Sequence, residues 1–256
     1  MAPVTGRLDV ASALASAPEL TSLQPDPWDL PGAAVVSVSF EIDEATGETA
    51  LPPAMHPSIP PYAMFSVLEA PESPVGPFTL GQVRIVGRAG IRPRGFLIGA
   101  VCSSADAAEA LASGWGYRVD VGEVSLAIRH DRWVGRVQRD GNVVMEAVCR
   151  DPQVINGGDV DLIDSLHLVR HDGEGLIVQV DPEYTYHEAH RGYAELPVFE
   201  PDGWGAGPLQ GVVRPTTPNV AVACRVDTDL PTPRFVIDPL KPAVAGTRRL
   251  EASASR

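Results

Sequence analysis

Lysine is almost missing from this sequence: Lys241 is the only one among 256 residues, and it sits in a proline-flanked stretch near the C-terminus. Chemistry that runs through a buried amine therefore has a single, poorly placed candidate. Cysteine is scarce too. Cys102, Cys149 and Cys224 are odd in number, far apart and set in apolar runs, which excludes a disulfide framework and implies reduced, buried thiols. No stretch approaches the ~18 apolar residues of a membrane helix, and the first residues lack a basic segment followed by an apolar core. A cytoplasmic protein without membrane contact is expected. Cations are outnumbered, 20 against 33 acidic residues for a net charge of −13, so a nucleic-acid partner is not expected. Metal and cofactor signals are absent as well. Asp159, Asp161 and Asp164 lack the glycine and terminal glutamate of a calcium loop. His187 and His190 fall on opposite faces of one strand and cannot easily share an ion.

What is present is mostly strand. Residues 1–32 are rich in alanine, proline and serine, with room for one short helix over 8–14 and an extended arm through Pro25, Pro27 and Pro31. Residues 33–240 form the main domain, and 241–256 read as a disordered tail. Within the domain, apolar alternation marks strands over 33–40, 62–68, 78–86 and 95–101. A meander over 123–129, 133–139 and 143–149 follows, with Asp140-Gly141 as a hairpin turn. Further strands cover 162–169, 175–180, 184–190, 193–199, 220–227 and 235–238. Strands dominate and helices are few, so the class is α+β, mainly β. A sheet of this size is expected to close and so protect its edges.

The strand over 78–86 puts Leu80, Gln82 and Arg84 on one face and Gly81, Val83 and Ile85 on the other. Buried polar groups need partners, so Gln82 and Arg84 bind each other, water or a ligand, unless their face meets solvent or a subunit contact. Arg84, Arg88, Arg92 and Arg94 make a cationic run, whereas residues 1–83 hold one arginine. The run either steers an anion or pairs with the acidic N-terminal half of the same or a neighbouring subunit. His56, among prolines, either packs in its loop or reaches the pocket.

The most informative stretch runs from Ala105 to Val121. An alanine-rich helix meets Gly114 and Gly116, which are expected to stop it, and Trp115, Tyr117 and Arg118 cluster on the resulting turn. This stretch resembles the acetoacetate decarboxylase family, whose members carry a short helix and then a glycine-aromatic-proline-lysine-lysine turn. There the first lysine forms a Schiff base with a keto acid, and the second, a cationic neighbour, activates it by lowering its pKa. Here Tyr117 and Arg118 stand at the two lysine positions. Three further segments match in order. Gly76 to Gln82 resembles a family strand, with Leu80 in place of the glutamate; Asp131 to Gly135 matches a strand start, and Tyr186 to Gly192 a late strand.

The resemblance implies a closed antiparallel β-barrel, or β-cone, with a few short helices, one ligand pocket and a tendency to homo-oligomerise. It also implies a small-molecule, keto, enol or polyketide-type substrate, of the kind met in secondary metabolism, and a lyase-type reaction. Without the lysine, that reaction proceeds with no Schiff base, as cyclisation, dehydration, enolisation or decarboxylation. Tyr117 and Arg118 are the implied catalytic residues, and Leu80, Gln82, Arg84, His56 and Trp115 the implied substrate contacts. The alternative is an inactive relative that binds a small keto compound without turning it over.

Overall fold

Apolar residues alternate with polar ones along most of this chain, and the computed structural model, which describes residues 5–160 and 162–251, shows strands wherever that pattern is strong. The chain opens with α1 (Val10–Leu14), capped by the Asp9 carboxylate on the Ser12 amide, and then β1 (Trp28–Ile42). Next come α2 (Glu44–Thr49), β2 (His56–Pro57), β3 (Tyr62–Ala70), β4 (Phe78–Arg88) and β5 (Pro93–Cys102). Helix α3 (Ala105–Trp115) leads into β6 (Val119–Val121) and the meander β7 (Glu123–Arg129), β8 (Arg132–Arg139) and β9 (Asn142–Val154). The second half adds β10 (Ser165–His171), β11 (Glu174–Val180), β12 (Tyr184–Phe199), β13 (Pro215–Leu230) and β14 (Phe235–Ile237). It ends with α4 (Ala243–Gly246) and β15 (Thr247–Arg249).

All strands belong to one sheet, in the order β15-β14-β11-β10-β5-β4-β3-β1-β13-β12-β9-β8-β7, with β2 beside β4 and β6 beside β5. Pairing is antiparallel except where β5 meets β10 and β6. The expectation of a closed barrel is corrected here: β7 and β15 end the sheet and do not pair with each other. The sheet curls instead: β6 pairs with β5, the Gly122 amide bonds Cys102 O at 3.0 Å, and β7 then packs over β3, β4 and β5. Two glycines allow the close approach. A Cβ on Gly135 would lie 2.6 Å from Val67 and 2.9 Å from Val36, and one on Gly81 would overlap Val137. One apolar core fills the inside of the curl, with Phe65, Val83, Val137 and Met145 at its centre. A second lies on the opposite face, under α3, around Leu80, Leu111, Trp115 and Tyr117.

Other expectations shift in detail. The acidic segment after β1, which the sequence pattern leaves unassigned to a strand, is the helix α2, because Asp43 caps it through the Thr46 amide. The two strands expected over 184–190 and 193–199 are one, β12, bent by a register shift at Gly192, where a side chain would strike the backbone of Arg150. The extended arm is folded down: Leu8, Val10, Ala13 and Leu20 are buried, and the Leu20 and Arg170 amides bond Arg170 O and Pro18 O. The expected disordered tail is structured as far as Glu251, since β15 pairs with β14 and Lys241 bridges Asp238 at 2.8 Å. Residues 252–256 lie outside the described residues, as does Asp161. Within the described chain the cationic run forms no ion pair with an acidic residue of the N-terminal half; Arg94 pairs with Asp181 at 3.3 Å. The three cysteines are free and buried, and burial pushes the Cys149 thiol up to about 11 and that of Cys224 to about 12. Among the described residues no helix is long and apolar enough to cross a membrane, and no cluster of metal-ligating side chains forms.

The tight seat of Gly135 leads to a prediction. Gly135→Ala forces its methyl group against Val67 and Val36, and overpacking of this kind costs about 1–3 kcal/mol. In urea melts the unfolding free energy is expected to fall by that amount, through a lower midpoint at an unchanged slope.

Candidate functional site

Strand β4 builds the site by simple alternation. Leu80, Gln82 and Arg84 point to the face away from the inner core, while Gly81, Val83 and Ile85 enter it. Register brings Leu68 opposite Leu80 and Ser66 opposite Gln82 on β3. On the other side of β4, a shift between Val83 and Arg84 in the pairing with β5 tilts the arginine toward Ser165 at the start of β10. Thr228 and Tyr184, directly paired across β13 and β12, close the far wall. The result is a cavity of about 50 Å³.

Tyr117 reaches this cavity because of how α3 ends. Helix α3 runs through Gly114 to Trp115, so Gly114 does not stop it; Gly116 does, in the left-handed conformation at φ 73°. Its amide and that of Tyr117 bond the last carbonyls, Ala112 O and Leu111 O, at 3.1 Å each. A side chain at Gly116 would overlap Val169, so only glycine turns the chain here. The turn delivers Tyr117 to the cavity, 4 % exposed, with its hydroxyl unbonded among the described residues. Burial pushes that hydroxyl up to about 12, although the nearby Arg84 charge pulls the other way, so it is protonated at neutral pH.

Arg84 is the one cation inside the cavity. It is 7 % exposed, and its partners are neutral oxygens: Ile163 O at 2.8 Å, Ser165 Oγ at 2.9 Å and, weakly, Ser66 Oγ at 3.5 Å. Among the described residues it forms no salt bridge. Its Nε, together with Gln82 Oε1 and Thr228 Oγ1, is buried without a partner. Such atoms cost ~1–3 kcal/mol each when left unbonded, and three of them converge on one small space. A larger groove of about 1030 Å³ opens at the surface beside Pro25, Pro231 and Arg249, but none of the buried unpartnered atoms lies on it.

Of the residues expected at the site, Tyr117, Leu80, Gln82 and Arg84 come together. Three do not. Arg118 points away and clamps the end of α1, donating to Ser16 O at 3.0 Å, Ser16 Oγ at 2.7 Å and Ala13 O at 3.3 Å. Trp115 turns into the second core, edge-on to Trp28, and donates to Pro231 O at 2.8 Å. His56 lies in β2 opposite Arg88 and does not line the cavity.

Sequence reasoning missed Ser66, Ser165, Thr228, Tyr184 and, behind them, His167. His167 is completely buried on β10, on the same strand face as Ser165, with its ring edge-on to Tyr117 at 4.3 Å between centroids. Its Nδ1 lies 2.7 Å from Trp115 O. A carbonyl only accepts, so Nδ1 carries the proton and Nε2, which has no partner, keeps a free lone pair. Burial, reinforced by the Arg84 charge, pulls the imidazole down to about 4 against the Trp115 bond that favours its cation.

With this geometry in view, comparison with solved structures is decisive for the architecture. Acetoacetate decarboxylase from Legionella pneumophila subsp. pneumophila str. Philadelphia 1 superimposes with a TM-score of 0.70 at 15 % identity, covering 83 % of this chain and 88 % of that one. The chain has the acetoacetate decarboxylase fold. The enduracididine biosynthesis enzyme MppR, in its pyruvate complex, shares that fold with a TM-score of 0.63 at 16 % identity, over 80 % of this chain and 88 % of that one. So does an acetoacetate decarboxylase-like enzyme from Sphingomonas wittichii RW1, with a TM-score of 0.62 at 15 % identity, over 90 % and 96 % of the two chains. By sequence, no family model and no curated protein matches this chain. The decarboxylase fold thus persists here around a cavity with no amine: Lys241, the one lysine, is 63 % exposed and bound to Asp238 at the surface.

His167 makes the stability of this fold pH-dependent. Its folded value of about 4 lies below the ordinary 6.5, so between those values the unfolded chain holds a proton that the folded chain refuses. Stability is then constant above pH 6.5 on this account and falls as the pH drops toward 4, by about 3 kcal/mol in all. Denaturant melts between pH 7 and 4 are expected to show the loss, with His167→Gln flattening that part of the slope. An unchanged slope in the variant would assign the loss to other groups.

Proposed function

We propose that this chain is a small-molecule enzyme of the acetoacetate decarboxylase type that takes a small, monoanionic keto acid and promotes its enolisation without a Schiff base. The observation that carries this reading is Arg84, a buried guanidinium on the cavity wall held only by neutral oxygens, with its Nε left without a partner. A carboxylate is the complementary group, because a charge-assisted bond is roughly twice as strong as a neutral one. The cavity size argues for a ligand of few atoms over a polyketide. Pyruvate, which the MppR complex contains, has that size and charge.

In this reading Arg84 holds the carboxylate, and the Tyr117 hydroxyl, kept protonated by burial, donates to the keto oxygen as charge develops there. One pre-organised donor at a developing oxyanion is worth ~3–4 kcal/mol. In this reading the proton leaving the carbon next to the keto group passes to the free Nε2 of the neutral His167 beside Tyr117. Arg118 has no part in the chemistry. The binding-only alternative is favoured by one feature: Leu80 lines the cavity where the resemblance would place a catalytic glutamate, and the carboxylate that does line it, Asp229, is engaged by the Glu183 amide at 2.6 Å.

The test uses pyruvate and acetoacetate in deuterium oxide. The protein is expected to exchange the protons next to the keto group, and Tyr117→Phe is expected to slow that exchange at least tenfold, within the ~10²–10⁴ range of acid–base assistance. Arg84→Met is expected to abolish saturable binding. Borohydride trapping is expected to leave the mass of the protein unchanged. Binding with no exchange would leave the inactive binder, and a trapped adduct on Lys241 would overturn the lysine-free reading.

A further inference from the structure

Strand β4 gives its cavity face an order as well as a composition. From Arg84 through Gln82 and Leu80 to Phe78 it runs from cation to amide to alkyl to aromatic, and all four line the cavity. A strand rises ~3.3 Å per residue, so neighbours on one face stand ~7 Å apart. Strand β3 repeats the order, with Ser66 opposite Gln82, Leu68 opposite Leu80 and Ala70 opposite Phe78. Beyond Gln82, neither strand puts a polar side chain on this wall.

The apolar end is a closed floor. Leu111 of α3 packs in one cluster with Leu80 and Phe78, and the three line the cavity at no more than 3 % exposed. Two of the unpartnered buried atoms, Arg84 Nε and Gln82 Oε1, belong to the polar end of this wall. Across the cavity, β13 adds the Thr228 hydroxyl and then Leu230. The chemistry proposed above uses Arg84, Tyr117 and His167 and gives Leu80, Phe78 and Leu111 no task. Pyruvate has a single methyl group to set against them.

We propose that the site selects 2-oxo acids whose aliphatic tail extends beyond the methyl group of pyruvate, and that Leu80 sets this preference. The inference rests on the keto-acid reading above and adds the direction in which the ligand lies. Its carboxylate meets Arg84, its keto oxygen Tyr117, and its tail runs over Leu80 toward Phe78. Each methylene buried on such a wall tightens binding about fourfold. A hydroxyl placed there loses its water and gains no partner. The small cavity ends the gain after a few atoms.

Titration calorimetry of the full chain tests it, alongside deuterium exchange with the same ligands. 2-Oxobutanoate is expected to bind about fourfold more tightly than pyruvate. 3-Hydroxypyruvate, which has a hydroxyl where 2-oxobutanoate has its methyl group, is expected to bind on the order of tenfold more weakly than 2-oxobutanoate. Leu80→Ala makes room at the tail, and is expected to raise the affinity of 2-oxopentanoate relative to 2-oxobutanoate about threefold or more. These are ratios between ligands, so a smaller folded fraction does not move them, and the wild-type series decides if the variant does not fold. Equal binding of pyruvate, 2-oxobutanoate and 3-hydroxypyruvate would overturn the inference and leave the keto-acid reading standing. A ratio unmoved by Leu80→Ala would remove Leu80 from the selection. Acetate, propanoate and butanoate carry the same head and tail without the keto group. If no keto acid exchanges deuterium yet butanoate still binds better than acetate, the reaction assigned above fails and the tail pocket stands. If no acid of either series binds, both fail.

Discussion

A positive charge is held inside this protein by oxygens that carry no negative charge, and much of the second core is arranged around that fact. Removing an ammonium- or guanidinium-sized ion from water costs several kcal/mol even after the surroundings relax. Arg84 recovers part of this from Ile163 O and Ser165 Oγ. Its charge is felt across the cluster: it opposes the rise of the Tyr117 hydroxyl, adds to the fall of the His167 imidazole, and lowers the proton affinity of Asp164, which burial raises. A cation kept in place without a permanent counter-ion is costly for stability and useful for binding. That trade belongs to sites rather than to cores.

Among the described residues no lysine lines the cavity, and Lys241, the one lysine in the sequence, lies at the surface, which bears on what the cavity is suited to. An iminium draws electrons through a covalent bond; a guanidinium and a phenol stabilise charge only through space. Tyr117 and Arg84 therefore suit steps in which charge moves a short way onto an oxygen. The groups that remain are held at one state across the physiological range, Tyr117 protonated and His167 neutral, both because they are dry.

Much of this was legible in the sequence. Alternation over Phe78–Val86 put Leu80, Gln82 and Arg84 on one face, and they share one cavity. The helix before Tyr117 and the turn after it were legible from alanine and glycine, although Gly114 lies within the helix and Gly116 alone turns the chain. Arg118 was misread because adjacency in sequence says little across a turn: after Gly116 successive side chains diverge, one to the cavity and the next to α1. Thr228 and Tyr184 were invisible for another reason. Nothing local marks them, and only the pairing of β12 with β13 brings them to the wall. Closure was misjudged because strand content predicts a sheet but not whether its ends meet, which here depends on glycines such as Gly135 that let layers stack.

The placing of β1 has a consequence for how the chain is made. This strand sits in the middle of the sheet, paired on one side with β3 and on the other with β13, so that Ala33 faces Val226. On a ribosome β1 and β3 emerge early and form a hairpin-like pair, but the other edge of β1 stays bare until almost the whole chain has been synthesised. That edge carries the run Ala33-Ala34-Val35-Val36, among the most apolar in the protein. Pairings between distant segments are slow, and unpaired apolar edges are prone to stick to one another in the interval. Chaperone dependence and low soluble yield on fast expression follow from this topology, independently of how stable the finished fold is.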